Sequence, residues 1–146
     1  MELLFGYDAA VADWVGARIQ HVGAGGFGPC VAVGVVRGDD LVAGAVFHNE
    51  IKAYGIGEMS FAATSPRWAT RATIRGILAI PFVQYRWRRL TAITPHDNHR
   101  ATKLLEGLGF KREGVAREMF SSRPKVHGAI YSMMAREHAA LMERLK

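Results

Sequence analysis

Apolar positions recur along this chain in two periods. Short runs and alternations of five to eight residues predict strands, and recurrence every three to four residues predicts helices. Residues 2–5 form an opening apolar run that predicts a first strand. From Asp8, the spacing of Val11, Trp14, Val15 and Ile19 marks one face of a helix, with Asp8 as its cap. Residues 23–29, GAGGFGP, break the chain. Residues 30–36 then read as a buried strand, 37–40 (RGDD) as a hairpin turn and 41–48 as the returning strand. Residues 48–55 are polar and closed by Gly55, which predicts a loop. Residues 57–64 form a fourth strand, with Glu58, Ser60 and Ala62 on one face and Met59, Phe61 and Ala63 on the other.

Ser65 and Pro66 interrupt the pattern. Residues 70–85 are helical in period, with Ile74, Ile77, Leu78 and Phe82 apolar. Pro81 falls inside that stretch, so the helix should kink or end near Ala79. A fifth strand is expected at 89–94, a helix at 98–108, strands at 110–120 and 129–135, and a short terminal helix at 138–145. No repeat, low-complexity segment or linker divides the chain, so residues 1–146 read as one domain. The order βαβββ then αβαββ predicts one α/β (α+β) sheet with helices on both faces.

Composition changes this picture little. An apolar fraction of 49% and a charged fraction of 22% are ordinary for a globular chain. No apolar run approaches the roughly 20 residues of a membrane span, so no membrane partner is expected. The opening MELLFGYD carries no basic region ahead of its apolar residues, so no signal peptide is expected. Cys30 is the only cysteine, which rules out an intrachain disulfide and suits the cytoplasm. It reads as a small buried strand residue. The net charge of +6 predicts attraction to anions. Its basic residues cluster at 67–75 and 86–89 without interleaved aromatic residues in a recognised pattern, which disfavours nucleic acid. Trp68 and Trp87 read as packing residues.

The most telling segment is 98–114, NHRATKLLEGLGFKREG. Asp97 or Asn98 can cap the helix. Ala101, Leu104, Leu105 and Leu108 form its buried face, while Arg100, Lys103 and Glu106 face water. Gly109 stops the helix, and a strand starts at once on Phe110. By itself this is a well-capped helix packed on a sheet. It also resembles the last α/β unit of the GCN5-related N-acetyltransferase superfamily, whose pattern is Asn-x-x-Ala-x-x-Leu-(Tyr)-Glu-x-x-Gly-Phe. Here it reads Asn98, Ala101, Leu104, Glu106, Gly109 and Phe110, followed by Glu113 and Gly114. The resemblance runs over about residues 42–134 and is closest to the bacterial and phage-type branch that includes ribosomal-protein acetyltransferase relatives. It implies a single mixed, mostly antiparallel sheet of about six to seven strands, acetyl-CoA as co-substrate, and acyl transfer to an amine. Asn98 and Ala101 would then lie beside the pantetheine arm.

The resemblance also implies a pyrophosphate loop at 65–74, SPRWATRATI. A diphosphate needs free backbone amides at a helix N-terminus, at the positive end of its dipole. The family supplies Gln/Arg-x-x-Gly-x-Gly/Ala. This chain offers Arg67, Thr70 and Ala72 at those offsets, with Thr70 where a glycine is usual, and a second register starting at Trp68 stays open. The candidate cofactor contacts are therefore Arg67, Trp68, Ala69, Thr70, Arg71 and Ala72, together with Asn98 and Ala101. Arg75 shares a helix face with Arg71 and adds charge.

Acetyl transfer to an amine needs a proton acceptor and a donor for the developing oxyanion. Glu58, on the fourth strand, is the candidate general base for direct attack, acting through water. Ser60 and His48 rank below it. The family's tyrosine acid falls at Leu105, which cannot donate, so Tyr131 is its candidate substitute, with water or the substrate ammonium as the other proton sources. His96, Asp97 and His99 do not match a common zinc spacing, and no metal is expected. The acceptor pocket is expected from the first helix and residues 23–29, 48–57 and 121–128. A homodimer is compatible with all of this. So is a second reading, a non-catalytic acyl-CoA-binding protein on the same fold.

Overall fold

The computed structural model describes residues 1–19, 26–120 and 126–146. Its elements run β1 (Glu2–Leu4), α1 (Asp8–Gly16), β2 (Cys30–Arg37), β3 (Asp40–Ile51), β4 (Ile56–Ala63), α2 (Arg71–Ala79), β5 (Arg89–Pro95), α3 (His99–Leu108), β6 (Lys111–Ala116), β7 (Gly128–Met134) and α4 (Ala135–Arg144). The strands form one seven-stranded sheet in the order β1-β2-β3-β4-β5-β7-β6. Every neighbouring pair is antiparallel except β4 and β5. The expected mixed, mostly antiparallel sheet is therefore present.

Strand alternation divides the core in two. On one face α1 buries Val11, Ala12 and Val15 against Ala32, Val46 and Ala62. A Cβ at Gly44 would stand 2.8 Å from Val15 Cγ2 and 3.0 Å from Val11 Cγ1, so glycine lets this helix settle onto β3. On the other face Ile74, Ile77 and Leu78 of α2, Leu105 of α3 and Leu141 of α4 pack on Val33, Ala45, Phe47, Met59, Leu90 and Tyr131. Among the described residues no helix is long and apolar enough to cross a membrane.

Several boundaries depart from the sequence reading. Residues 48–51 are not loop: β3 continues to Ile51, followed by a 3-10 turn at Lys52–Tyr54 and Gly55 in a left-handed conformation (φ 62°). Their polarity hid the strand. β4 supplies their hydrogen bonds, through the pairs His48–Glu58 and Ile51–Ile56, and Asn49 turns to φ 52° in the bulge between them. Asp8 does not cap α1. Its Oδ1 accepts from the Ala32 amide at 3.0 Å and ties the helix start to β2. Pro81 acts as expected: α2 ends at Ala79 and the chain widens into a π-turn closed by Tyr85 N–H donating to Ile80 O at 3.0 Å. β6 stops at Ala116, its pairing with β7 slipping between Arg112 and Gly114. Residues 23–25 and 121–125, both parts of the expected acceptor pocket, lie outside the described residues.

Candidate functional site

The parallel pair at the centre of the sheet is short. β4 and β5 are in register at only three positions, Ile56–Arg89, Gly57–Leu90 and Glu58–Thr91. Beyond Glu58, β4 stays paired with β3 as far as Ala63–Ala43, and beyond Thr91, β5 stays paired with β7 as far as Pro95–Gly128. The two strands therefore part, and a wedge opens between them toward their C-terminal ends. Among the described residues its inner edges carry backbone N–H and C=O groups with no strand partner, a template for an extended ligand. After β4 the chain enters α2, and after β5 it enters α3, so both helices start at the mouth of the wedge. Ligands of open α/β sheets bind at such a point, at the carboxyl ends of the strands.

The start of α2 is closed by a reciprocal cap. Thr70 Oγ1 accepts from Thr73 N at 3.1 Å, and Thr73 Oγ1 accepts from Thr70 N at 3.0 Å. Thr70 N also donates to Trp68 O at 2.9 Å, and Ala69 N donates to Pro66 O at 3.3 Å. Among the described residues the amides of Arg71 and Ala72 have no partner, which leaves two donors at the positive helix end for an anion. The residue that stands in for glycine thus removes its own amide from the set. Trp68 is buried, its ring 4.5 Å from Phe61, so this side chain packs rather than lining the mouth. Arg67 and Ala69 are exposed. Arg71 donates to Lys146 O at 3.2 Å and Arg75 to Leu145 O at 3.5 Å, which draws both guanidinium groups toward the end of α4. At α3, Asn98 Oδ1 accepts from Ala101 N at 3.2 Å, so Asn98 is the cap and Ala101 carries the capped amide.

A polar row crosses the sheet beside the wedge. Cys30, His48, Glu58, Thr91 and Ser132 are register partners on successive strands, so their side chains share the face on which α1 packs. Glu58 Oε2 accepts from Asn49 Nδ2 at 3.1 Å. Next to it, His48 Nε2 and Ser60 Oγ are 2.8 Å apart, and both residues are buried. The Phe27 ring lies 4.8 Å from the His48 ring. Further along, Arg89 pairs with Glu113 (Nη1 to Oε2 3.1 Å), and Ser132 Oγ donates to the same oxygen at 2.9 Å. The guanidinium holds the Glu113 carboxyl below the usual carboxylate range, and the carboxylate raises Arg89 in return.

Tyr131 is elsewhere. It is in register with Ala92 and belongs to the core on the opposite face, which also holds Leu105. Its side chain is almost wholly enclosed, with Glu106 and Arg112 around its hydroxyl, and burial pushes the phenol up. The sheet thus gathers Glu58, Ser60 and His48 on one side and separates them from Tyr131. Sequence reasoning missed Asn49, placed in a loop, and the Arg89–Glu113 pair. Those two residues are 24 positions apart and meet only through the β5-β7-β6 order.

No protein-family model matches the chain, and no curated protein sequence matches it. Solved structures do. A chimera of the Vibrio cholerae spermidine N-acetyltransferase with hSSAT superposes with a TM-score of 0.76 at 11% identity, over 94% of this chain and 98% of that one. A GCN5-related N-acetyltransferase from Brucella melitensis gives 0.67 at 18% identity, over 80% of this chain and 56% of that one. The ribosomal-protein-S5-alanine acetyltransferase of Vibrio fischeri gives 0.64 at 16%, over 73% and 62%. The chain has the GCN5-related N-acetyltransferase fold. It spans 63% of the length of two further matched structures, so some of these proteins carry segments this chain does not match. Residues 65–74 and 98–101 lie at the starts of α2 and α3, at the mouth of the wedge. The fold also leaves Leu105 where a tyrosine was expected, buried on the face opposite Glu58.

Proposed function

We propose that this protein transfers an acetyl group from acetyl-CoA to an amine, and that Glu58 takes the proton from the acceptor. The observation that carries this reading is the three-pair β4–β5 ladder, with the starts of α2 and α3 at the open end of the wedge. The inner edges of β4 and β5 suit the amide groups of a pantetheine arm. The free amides of Arg71 and Ala72 fit the diphosphate, with Arg67 adding charge, and Asn98 and Ala101 flank the other wall. These groups orient the thioester; they do not change it.

Glu58 is at the last paired position of the ladder, where the wedge begins. Its carboxylate accepts one hydrogen bond from Asn49 and keeps capacity for a proton, directly or through water. The acceptor nitrogen attacks the thioester carbonyl, the C–N bond forms and the C–S bond breaks. The departing thiolate then takes a proton from the substrate ammonium or from water, since Tyr131 is on the far face. The acceptor is an amine whose remaining structure the face around His48 and Ser60 would select. The 98–114 segment favours the bacterial and phage-type branch. Cys30 suits a reducing, cytoplasmic setting: burial, with Asp8 and Asp13 nearby, pushes its thiol up and away from reactive thiolate.

Calorimetry should show one acetyl-CoA bound per chain, and a thiol assay should show coenzyme A released with amines. Absence of binding at millimolar acetyl-CoA would overturn the reading. Binding without release across a broad amine panel would instead support an acyl-CoA-binding protein. Leu105 and the self-capped Thr70 are the features that favour that alternative.

A further inference from the structure

A cleft of about 390 Å³ lies at the end of the sheet where β2 starts and β3 finishes, away from the open end of the wedge. Its walls include Phe27, Phe47, Tyr85 and Trp87, and its rim includes His48 and Glu50. That volume is within the range of ~300–1,000 Å³ typical of small-molecule sites.

The aromatic wall is fixed. Trp87 N–H donates to Pro81 O at 2.8 Å, and the indole Nε1–H donates to Glu50 Oε2 at 2.8 Å. The ring lies against Gly57, where any Cβ would fall 2.2 Å from it. Phe47 meets it edge-on at 6.3 Å between centroids, and Tyr85 lies tilted at 6.1 Å.

The charge of the cleft opposes that of the molecule. The chain carries +6, yet among the described residues the side chains lining this cleft include one carboxylate, Glu50, and no lysine or arginine. Among the described residues Glu50 makes no ion pair, and its one side-chain hydrogen bond comes from a neutral indole. A carboxylate in a cleft lined by aromatic rings is an arrangement that holds an ammonium group. The rim residue His48 is the register partner of Glu58, so the cleft begins one strand, ~5 Å, from the proposed base.

We infer that this cleft binds a cationic amine with an apolar body, and that Glu50 is its specificity-determining residue. The inference rests on the proposed acetyltransferase reading only in making this amine the acceptor; the binding site stands without it.

The test uses the 2-phenylethylammonium ion as probe and 2-phenylethanol as its neutral counterpart. The chain has three tryptophans, and the Trp87 indole N–H resonance is identified by its loss in Trp87→Phe. Titration with the amine should move that resonance saturably, while the alcohol should bind about tenfold more weakly. Glu50→Gln keeps an acceptor for the indole, so the wall stays in place. It should weaken the amine about tenfold and leave the alcohol unchanged. Equal binding of amine and alcohol, or an unaltered amine affinity in Glu50→Gln, would overturn the inference. Acetyl-CoA calorimetry on the same two proteins separates the claims: wild-type protein that ignores acetyl-CoA but binds the amine through Glu50 refutes acetyl transfer and upholds the cleft.

Discussion

At the scale of single residues, Glu58 and His138 make opposite uses of their surroundings. Glu58 is half-buried, with one amide donor and room for a proton. Glu58→Gln keeps the shape and the contact with Asn49 while removing the base. The turnover rate should fall about 10²-fold or more, with acetyl-CoA affinity unchanged by calorimetry; an undiminished rate would remove Glu58 from the mechanism. His138, on α4, is stacked on Phe82 at 4.6 Å and 17°, and its Nε2 is buried with no hydrogen-bond partner among the described residues. Burial lowers its pKa below the ordinary 6.5. The unfolded chain therefore takes up a proton at a higher pH than the folded chain does. Stability should be fully present above 6.5 and fall as pH drops through 6.5 toward the lowered folded value. Thermal unfolding followed across this window should show that slope, and His138→Phe should flatten it. Local sequence shows only one of the two: Glu58 stands out as a lone carboxylate on an alternating strand, but nothing near His138 signals a buried imidazole.

At the scale of elements, the caps and the sheet rows set the site. Thr70→Gly removes the hydroxyl that ties down the Thr73 amide, while the amide of residue 70 keeps its bonds to Thr73 Oγ1 and Trp68 O. It should cost only a few tenths of a kcal/mol in stability and bind acetyl-CoA several-fold more tightly, because the Thr73 amide then faces the diphosphate. An unchanged dissociation constant would place the diphosphate elsewhere. Gly57→Ala tests a different joint. The new methyl would collide with the Trp87 ring, and three neighbours prevent that ring from retreating. Denaturant unfolding should show a loss of about 1–3 kcal/mol. The element most open to sequence reading was α3. Its apolar spacing, Asn98 cap and Gly109 stop (φ 97°) all appear as expected, because each is a local interaction within a few residues. The element least open to it was the end of β3. Asn49 and Glu50 are polar and, like Ile51, exposed, and only pairing with β4 carries the strand past the bulge at Asn49.

At the scale of the whole molecule, the wedge is a property of strand order. β4 and β5 are the one parallel pair of the sheet, and they separate because each keeps its antiparallel partner on the outer side. Hydrogen exchange should therefore find fast amides among residues 59–62 and 92–94, at those positions that do not pair with β3 or β7. Acetyl-CoA should slow them selectively, and uniform protection across the sheet would argue against insertion of the arm between the strands. The amino-acid order alone already carried most of the elements, the starts of α2 and α3, and Glu58 as an unusual strand carboxylate. These follow from side-chain periodicity and local capping, which act over a few residues. Only the tertiary structure decided that β4 and β5 part after Glu58, that Tyr131 faces away from it, and that Glu50 and Trp87 meet across 37 positions to build a second, acidic cleft. Those outcomes depend on which strands become neighbours and which face each residue takes, and a one-residue change of register would reverse every face.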